Sequence, residues 1–168
     1  MKSKMMIRVL AAAIASGLSA GAYATQDTTT FAVTATVAKA CTITATPLVF
    51  GSFNVLSGSN VDATNTVTAT CTNGSDYTIG LDKGAGSGAT VSTRKMTHTV
   101  DNTKTLNYSL ALNAPGGTNW DDIAGANVKS ATGSGVAQSH TVFGRVPTGQ
   151  TTPIVGDYTD TITVTVDF

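Results

Sequence analysis

The sequence predicts an all-β fold, and its composition and its pattern both support that prediction. About thirty residues are Thr, every acidic residue is Asp, and there is no Glu, which favours strands and turns over helices. After the N-terminal region, apolar and polar residues alternate with a period of two, and helical spacing does not persist. With turn signals between about six or seven such segments, this pattern is typical of an immunoglobulin-like β-sandwich.

Each alternating segment has one apolar face, which we expect to point into the core. In chain order these faces carry Phe31, Val33, Ala35 and Val37, continued by Cys41 and Ile43; Val67, Ala69 and Cys71; Tyr77, Ile79 and Leu81; Leu106, Tyr108, Leu110 and Leu112; residues 142–146; and Ile162, Val164, Val166 and Phe168. Turns are predicted between them at Asn73-Gly74-Ser75, Pro115-Gly116-Gly117 and Pro147-Thr148-Gly149.

Residues 1–24 have the organisation of a secretory signal peptide. Basic residues precede an apolar run from Val9 to about Leu18, and small residues end at Ala24. The run is about ten residues long, whereas a helix needs roughly twenty to cross a bilayer. We expect cleavage after Ala24 and release of the mature chain without a lipid anchor, because the first cysteine is Cys41.

The mature chain, residues 25–168, has the length of one domain. Three of the ten basic residues lie in the predicted signal, which leaves seven Lys and Arg against ten Asp, a net charge of 7 − 10 = −3. This mildly acidic balance offers no basic surface for nucleic acid.

Both cysteines lie in the mature chain, and exported proteins with an even cysteine count normally pair them. We therefore predict a disulfide between Cys41 and Cys71. Two free thiols or a metal pair are the alternatives, and no other metal-ligand pattern lies nearby.

The sequence offers few residues for catalysis, and we predict no catalytic residue, metal or cofactor and no small-molecule substrate. The only histidines are His98 and His140, and there is no Glu; both histidines are expected at surface or hydrogen-bonded positions. Asp121 and Asp122 lack a third ligand at calcium-loop spacing and indicate a polar turn. The glycines of residues 84–88 match no phosphate-binding loop.

The two ends of the mature chain could complement each other between copies, because one has the pattern of a free strand and the other that of an exposed sheet edge. Residues 25–38 have the pattern of a strand outside the predicted disulfide loop, and the chain ends at Phe168 within its best strand. An exposed sheet edge pairs readily with another strand. An ordinary first strand within the domain's own sheet explains residues 25–38 equally well.

Several short motifs together resemble the spore coat protein U domain family and, within it, the major subunit of Csu-type pili of the archaic chaperone-usher pathway. The resemblance covers nearly the whole mature chain. It is carried by Phe50-Gly51, Cys71-Thr72-Asn73-Gly74 with Tyr77, Arg94-Lys95-Met96, Leu106-x-Tyr108, Phe143-Gly144-Arg145-Val146-Pro147 and Gly156-x-Tyr158-x-Asp160-Thr161.

The resemblance implies an immunoglobulin-like sandwich, residues 39–168, that lacks its final strand. A periplasmic chaperone would hold it until an outer-membrane usher replaces the chaperone with a neighbouring copy's N-terminal strand. Carried onto this chain, the donor strand is roughly residues 28–38, with Phe31, Val33, Ala35 and Val37 as its inserted face. The acceptor groove would be bordered by an early strand and by the last strand, through Ile162, Val164, Val166 and Phe168.

The function expected from this resemblance is that of a surface-pilus subunit that forms a homopolymer and serves attachment and biofilm formation outside the cell. Two alternatives stay open. One is a secreted monomeric binding module that uses loops near Trp120 and Gly84. The other is a protective coat component.

Overall fold

The structure, a computed structural model, describes residues 24–168, so nearly all of the predicted signal peptide lies outside the described residues. The chain divides into two units, Met1–Ala35 and Thr36–Phe168. In the first unit, residues 24–35 form no regular secondary structure and are exposed. Among the residues described, no helix has the length and apolar character to span a membrane.

The second unit is built entirely of strands and connecting loops. In chain order the strands are β1 (Cys41–Ala45), β2 (Val61–Cys71), β3 (Asp76–Leu81), β4 (Arg94–His98), β5 (Thr105–Ala111), β6 (Lys129–Thr132), β7 (Gln138–Val146), β8 (Tyr158–Thr159) and β9 (Val164–Asp167). The all-β prediction is confirmed.

The strands form two antiparallel sheets that face each other across one apolar core. The order of the larger sheet is β1-β2-β7-β5-β4-β8, and the order of the smaller is β6-β3-β9. Alternate residues of each strand point inward, as in β2, where Val67, Ala69 and Cys71 are at most 1% exposed and the threonines between them are not buried. The predicted alternation with a period of two therefore separates the core residues from the surface residues.

The disulfide between Cys41 and Cys71 is confirmed. The two residues are direct cross-strand partners in the β1–β2 ladder, and their Cα atoms are 4.1 Å apart. The bond therefore fastens the outermost strand of the larger sheet to its neighbour.

A buried arginine joins the two sheets and the loops between them. Arg94 is fully buried, and its guanidinium donates to the carbonyl oxygens of Leu81, Asp82, Val91 and Trp120 at 2.7–2.8 Å. A buried cation is tolerated when hydrogen bonds replace its lost water. Trp120, also fully buried, donates its indole N–H to the carbonyl of Ile79. It belongs to the core and is not available in a binding loop.

A second polar link crosses the core between Tyr77 of β3 and His140 of β7. The Tyr77 hydroxyl and Nε2 of His140 are 2.8 Å apart. Burial, followed by the charge of Lys129, lowers the pKa of His140 below its ordinary value. Both histidines are buried and hydrogen-bonded, in agreement with the prediction of satisfied positions.

The strand predictions differ from the structure at three places. β4 and β6 were not predicted, because their short sequences lack a clear alternation of apolar and polar residues. The predicted last strand, residues 161–168, is shortened to β9, and β8 precedes it as a separate strand that was not predicted. The predicted first segment has no strand partner, and regular pairing starts at Cys41.

Removal of the disulfide should lower stability without changing the fold. The bond closes a loop with a sequence separation of 30, which corresponds to a loss of roughly 3.6 kcal/mol in the chain-entropy model. Urea unfolding of a Cys41→Ala, Cys71→Ala double variant measures this loss. Treatment of the wild-type chain with a reducing agent is the control, and equal midpoints with and without the bond would contradict the prediction.

Stability should also fall on acidification below pH 6.5, the ordinary pKa of histidine. Above that value His140 is neutral in both states. Below pH 6.5 the unfolded chain binds a proton at His140 more readily than the folded chain does. The free energy of unfolding therefore decreases as the pH falls toward the lowered folded-state pKa. The slope from this residue is at most about 1.4 kcal/mol per pH unit. A His140→Gln variant should have a shallower pH dependence in urea unfolding; parallel curves would exclude the effect.

Candidate functional site

The two sheets do not close against each other along one side of the sandwich. Among residues 24–168, β1 pairs only with β2 and β9 pairs only with β3, so each is the edge strand of its sheet. Some Cα atoms of the two strands lie within 8 Å of each other, yet no ladder joins them. Both edges therefore present main-chain N–H and C=O groups without a strand partner.

A groove, here called the seam groove, follows this open side and has a volume of about 350 Å³. One wall is the chain that leaves β1, residues 45–50, and the other is residues 158–164. Between the walls lie Asn65, Val67, Leu81, Met96, Tyr108, Leu110 and Val142. The groove thus lies between an early strand and the last part of the chain.

The floor of the seam groove is the hydrophobic core itself. Val67, Leu81, Leu110 and Val142 are between 1% and 4% exposed. The flanking apolar side chains are only half-buried, among them Leu48, Phe50, Met96, Ile162 and Val164. These flanking side chains therefore keep part of their apolar surface in water, which is costly for a free domain.

A glycine allows the first wall to cross the larger sheet. A Cβ atom at Gly144 would lie 2.8 Å from the Phe50 ring and 2.9 Å from Leu48. Without a side chain at this inward position of β7, Leu48 and Phe50 pack directly over the strand. The Phe50 ring also meets the edge of Tyr108, with centroids 6.0 Å apart.

Two carboxylates position the second wall where it passes from one sheet to the other. Asp160 accepts hydrogen bonds from the Tyr108 hydroxyl at 2.6 Å and from the Ala85 N–H at 2.8 Å. Asp82 accepts from the N–H of Thr163 at 3.0 Å, and its own N–H donates to the Thr163 carbonyl. These hydrogen bonds, most of which involve a side-chain carboxylate, hold residues 160–163 where a strand ladder is missing.

Burial raises the pKa of Tyr108, and its hydrogen bond to Asp160 raises it further. The phenol is consequently a permanent donor to the carboxylate. The start of the wall is fixed separately, because the Tyr158 hydroxyl donates to the Ile154 carbonyl and accepts from the Ile154 N–H, both at 2.9 Å. This is the arrangement of a tyrosine corner in immunoglobulin-like sandwiches.

The structure brings some of the predicted edge residues to the groove and leaves others elsewhere. Ile162 and Val164 line it. Val166 is half-buried against the core beyond it, and Phe168, 48% exposed, lies beside β3 and β6. The other wall of the groove, residues 45–50, follows β1 in the chain.

The predicted donor face is exposed. Phe31 is 86% exposed, and Val33 and Val37 are each 84% exposed; Ala35 is exposed as well. Residues 24–40 form no strand. A row of apolar side chains in water is unusual for a segment of a monomeric protein.

Sequence reasoning missed the residues that shape the groove. Leu48 and Phe50 carry the alternation typical of a strand, but the adjacent Pro47 obscures it. The sequence pattern marks Tyr108 as an ordinary core residue and includes Asp160 only within a motif. Their contact joins positions 52 residues apart, and no local pattern signals such a pair.

Residues 24–168 contain no group of three or more His, Cys, Asp or Glu side chains placed to hold a metal ion. Asp121 accepts hydrogen bonds from Asn119 and Asn127, as expected of a residue in a polar turn.

These features define a class of protein, an immunoglobulin-like β-sandwich with an open seam. The chain belongs to the Spore Coat Protein U domain family, whose model matches residues 27–165. The predicted family is thereby confirmed, and so is the expectation of a non-enzymatic subunit.

Two solved structures illustrate the similarity. One is the CsuC–CsuE chaperone–tip adhesion subunit pre-assembly complex from archaic chaperone-usher Csu pili of Acinetobacter baumannii, with 24% identity and a TM-score of 0.55. The match covers 79% of this chain and 40% of that one. A chaperone–tip adhesin complex of CFA/I fimbriae biogenesis matches with 15% identity and a TM-score of 0.47 over 75% of this chain and 41% of that one. No curated protein matches.

Loss of the Tyr108 hydroxyl should destabilise the groove wall. A Tyr108→Phe variant leaves a carboxylate oxygen of Asp160 without its donor, which costs roughly 1.5 to 3 kcal/mol for a charged partner. The matched control is Tyr77→Phe, whose hydroxyl bonds neutral groups and whose loss costs about 0.5 to 1.5 kcal/mol. Urea unfolding compares the two variants, and an equal loss in both would contradict an anchoring role for Asp160.

Proposed function

We propose that this protein is the repeating subunit of a surface pilus and that it polymerises by donor-strand complementation. The supporting observation is the seam groove, whose flanking apolar side chains are only half-buried between two unpaired edges. In the proposed polymer, residues 28–38 of a neighbouring copy fill this groove. The donor segment then covers the apolar groove, and the groove buries the exposed apolar side chains of the segment.

The donor segment is longer than the wall that it would cover. Residues 28–38 comprise eleven residues and the second wall, residues 158–164, comprises seven, so the extended lengths are about 36 Å and about 23 Å. A strand laid in the seam groove, between residues 45–50 and residues 158–164, would bond to both walls through its main chain, which is strand addition at a sheet edge. The segment is long enough to cover the whole second wall.

The side-chain pattern of the donor segment also suits the groove. Phe31, Val33, Ala35 and Val37 would face the apolar floor. Burial of the Phe and the two Val contributes on the order of 1.5 to 3 kcal/mol each before ordering costs. Thr30, Thr34 and Thr36 would face outward, as Thr42 and Thr44 of β1 do.

The partners in this proposal are further copies of the chain, a periplasmic chaperone and an outer-membrane usher. An exposed seam is a hazard in a free subunit, because unpaired edges aggregate. A chaperone that occupies the groove removes that hazard until a second copy takes its place. The assembled fibre would lie at the cell surface and serve attachment and biofilm formation.

Export with and without the chaperone and usher tests the pathway. The proposal expects degraded or aggregated subunits without the chaperone, and fibres in electron micrographs only when both are present. A stable, soluble monomer obtained without any chaperone would favour the secreted binding module instead.

A single charge on the donor face should weaken the polymer. In a Phe31→Asp variant the carboxylate enters an apolar groove without a partner, which should cost several kcal/mol of subunit joining. Thr30→Asp is the matched control, because its side chain faces outward. The midpoint of polymer dissociation in denaturant measures both.

The folded domain should tolerate both substitutions, because residues 24–35 are exposed. Deletion of residues 25–38 is the stronger form of the test and should abolish fibres. Fibres that persist after this deletion would refute the donor-segment assignment, as would equal effects of the two Asp substitutions.

A further inference from the structure

Exposed apolar side chains collect at one end of the sandwich, here called the loop end. It consists of residues 46–60, 99–104 and 147–157, which connect β1 to β2, β4 to β5 and β7 to β8. The strand registers place these three connections at the same end of the larger sheet. The exposed residues there are Val49 (73%), Leu56 (89%), Val100 (86%), Ile154 (42%) and Val155 (98%).

The loop end is continuous with the seam groove. A crevice of about 880 Å³ lies between residues 48–55 and 153–157. It shares Leu48, Phe50, Met96 and Tyr158 with the groove. One apolar surface therefore runs from the groove onto the loops.

A buried histidine holds two of these loops in place. Nδ1 of His98 accepts from the N–H groups of Val100 and Asp101 at 3.1 and 2.9 Å. Its Nε2 lies 3.3 Å from the Val155 carbonyl, which assigns the remaining ring proton to that nitrogen. Val100 and Val155 are thus presented by bonded loops, a favourable state for binding because little order is lost on contact.

The opposite end, here called the base, consists of residues 36–40, 72–75 and 133–137. There the chain is fastened to its own domain as soon as the proposed donor segment ends. Thr72 donates its hydroxyl to the Ala38 carbonyl at 3.3 Å and accepts from the Ala40 N–H at 3.0 Å. The Thr72 N–H also donates to the Ala40 carbonyl at 2.9 Å.

Because of this attachment, no flexible linker separates the donor segment from the folded domain of the same copy. Each residue spans at most about 3.6 Å, and residues 38–40 are bonded to the base. A copy whose Val37 occupies a groove must therefore rest its base against one mouth of that groove. A second contact between neighbouring copies is unavoidable.

We infer that the loop end is the surface on which the base of the donating copy docks. This inference rests on the proposed function. The loop end offers the larger apolar area at a groove mouth, whereas the exposed large apolar side chains near the other mouth are Val136 and Phe168. Charges also match, since Lys39 of the base would meet the exposed Asp157 and the neighbouring Asp101.

The occupant is a second copy of this chain, inserted with Phe31 toward Phe168 and Val37 toward Tyr158. Val136, 64% exposed, is the apolar contribution of the base. The contact would limit bending between neighbouring copies and would slow their separation.

Thiol cross-linking of assembled fibres tests this arrangement. Mature chains carrying Lys39→Cys and Val155→Cys should give a ladder of cross-linked multimers with a short thiol cross-linker. The matched pair is Lys39→Cys with Asp167→Cys, which lies at the other mouth and should give none. The Lys39→Cys single variant checks for exchange with the native disulfide.

A second measurement does not depend on introduced thiols. A Leu56→Asp, Val155→Asp double variant should dissociate from its neighbours at least about tenfold faster, because interface changes act mainly on dissociation. Ile123→Asp is the control; Ile123 is 38% exposed and lies over Gly80 on the outer face of the smaller sheet. Its dissociation rate should equal that of the wild type.

The outcomes separate the inference from the proposal beneath it. A ladder from the Asp167 pair, or an unchanged dissociation rate in the loop-end variant, overturns the docking surface while fibres still form. A wild-type chain that forms no fibre with its chaperone and usher refutes the proposed function itself.

Discussion

The passage of the last strand from one sheet to the other is the constraint on which the seam groove depends. β8 pairs with β4 in the larger sheet, and β9 pairs with β3 in the smaller. Between them, residues 160–163 have no strand partner of their own. Without a fixed path for these residues, the last strand would be free to collapse toward β1 and close the seam.

Polar anchors at the edge of the core hold that path. Asp160 and Asp82 accept hydrogen bonds from residues on both sides of the crossing, and Arg94 fixes the backbone of Asp82 from beneath. Buried polar groups are costly unless they are fully bonded. Because these groups are bonded, they specify one path for the chain, which apolar packing alone would not do.

The exposed apolar surfaces of the domain have a common explanation. The domain leaves apolar side chains half-buried on the walls of the groove and places further exposed apolar side chains at the loop end. A monomer gains nothing from either feature, since exposed apolar area lowers solubility. Both features acquire a purpose if the chain is completed by another copy of itself, with one surface for the donor segment and one for the body behind it.

The chain's own sequence determined the class of the fold and most of its core. Period-two alternation is a local property, and it suffices to predict the inward residues of β2, β3, β5 and β7. The disulfide followed from cysteine count and compartment. The apolar face of residues 31–37 could likewise be predicted from the sequence, although its pairing partner could not.

The tertiary structure decided how the parts meet. It shortened the predicted last strand to β9, placed residues 45–50 on the other side of the groove, and joined Tyr108 to Asp160 across the fold. It also gathered three separate loops into one apolar end. These relations depend on residues far apart in the chain. A periodic pattern predicts which side of a strand a side chain lies on, but it does not predict which distant residue that side chain contacts.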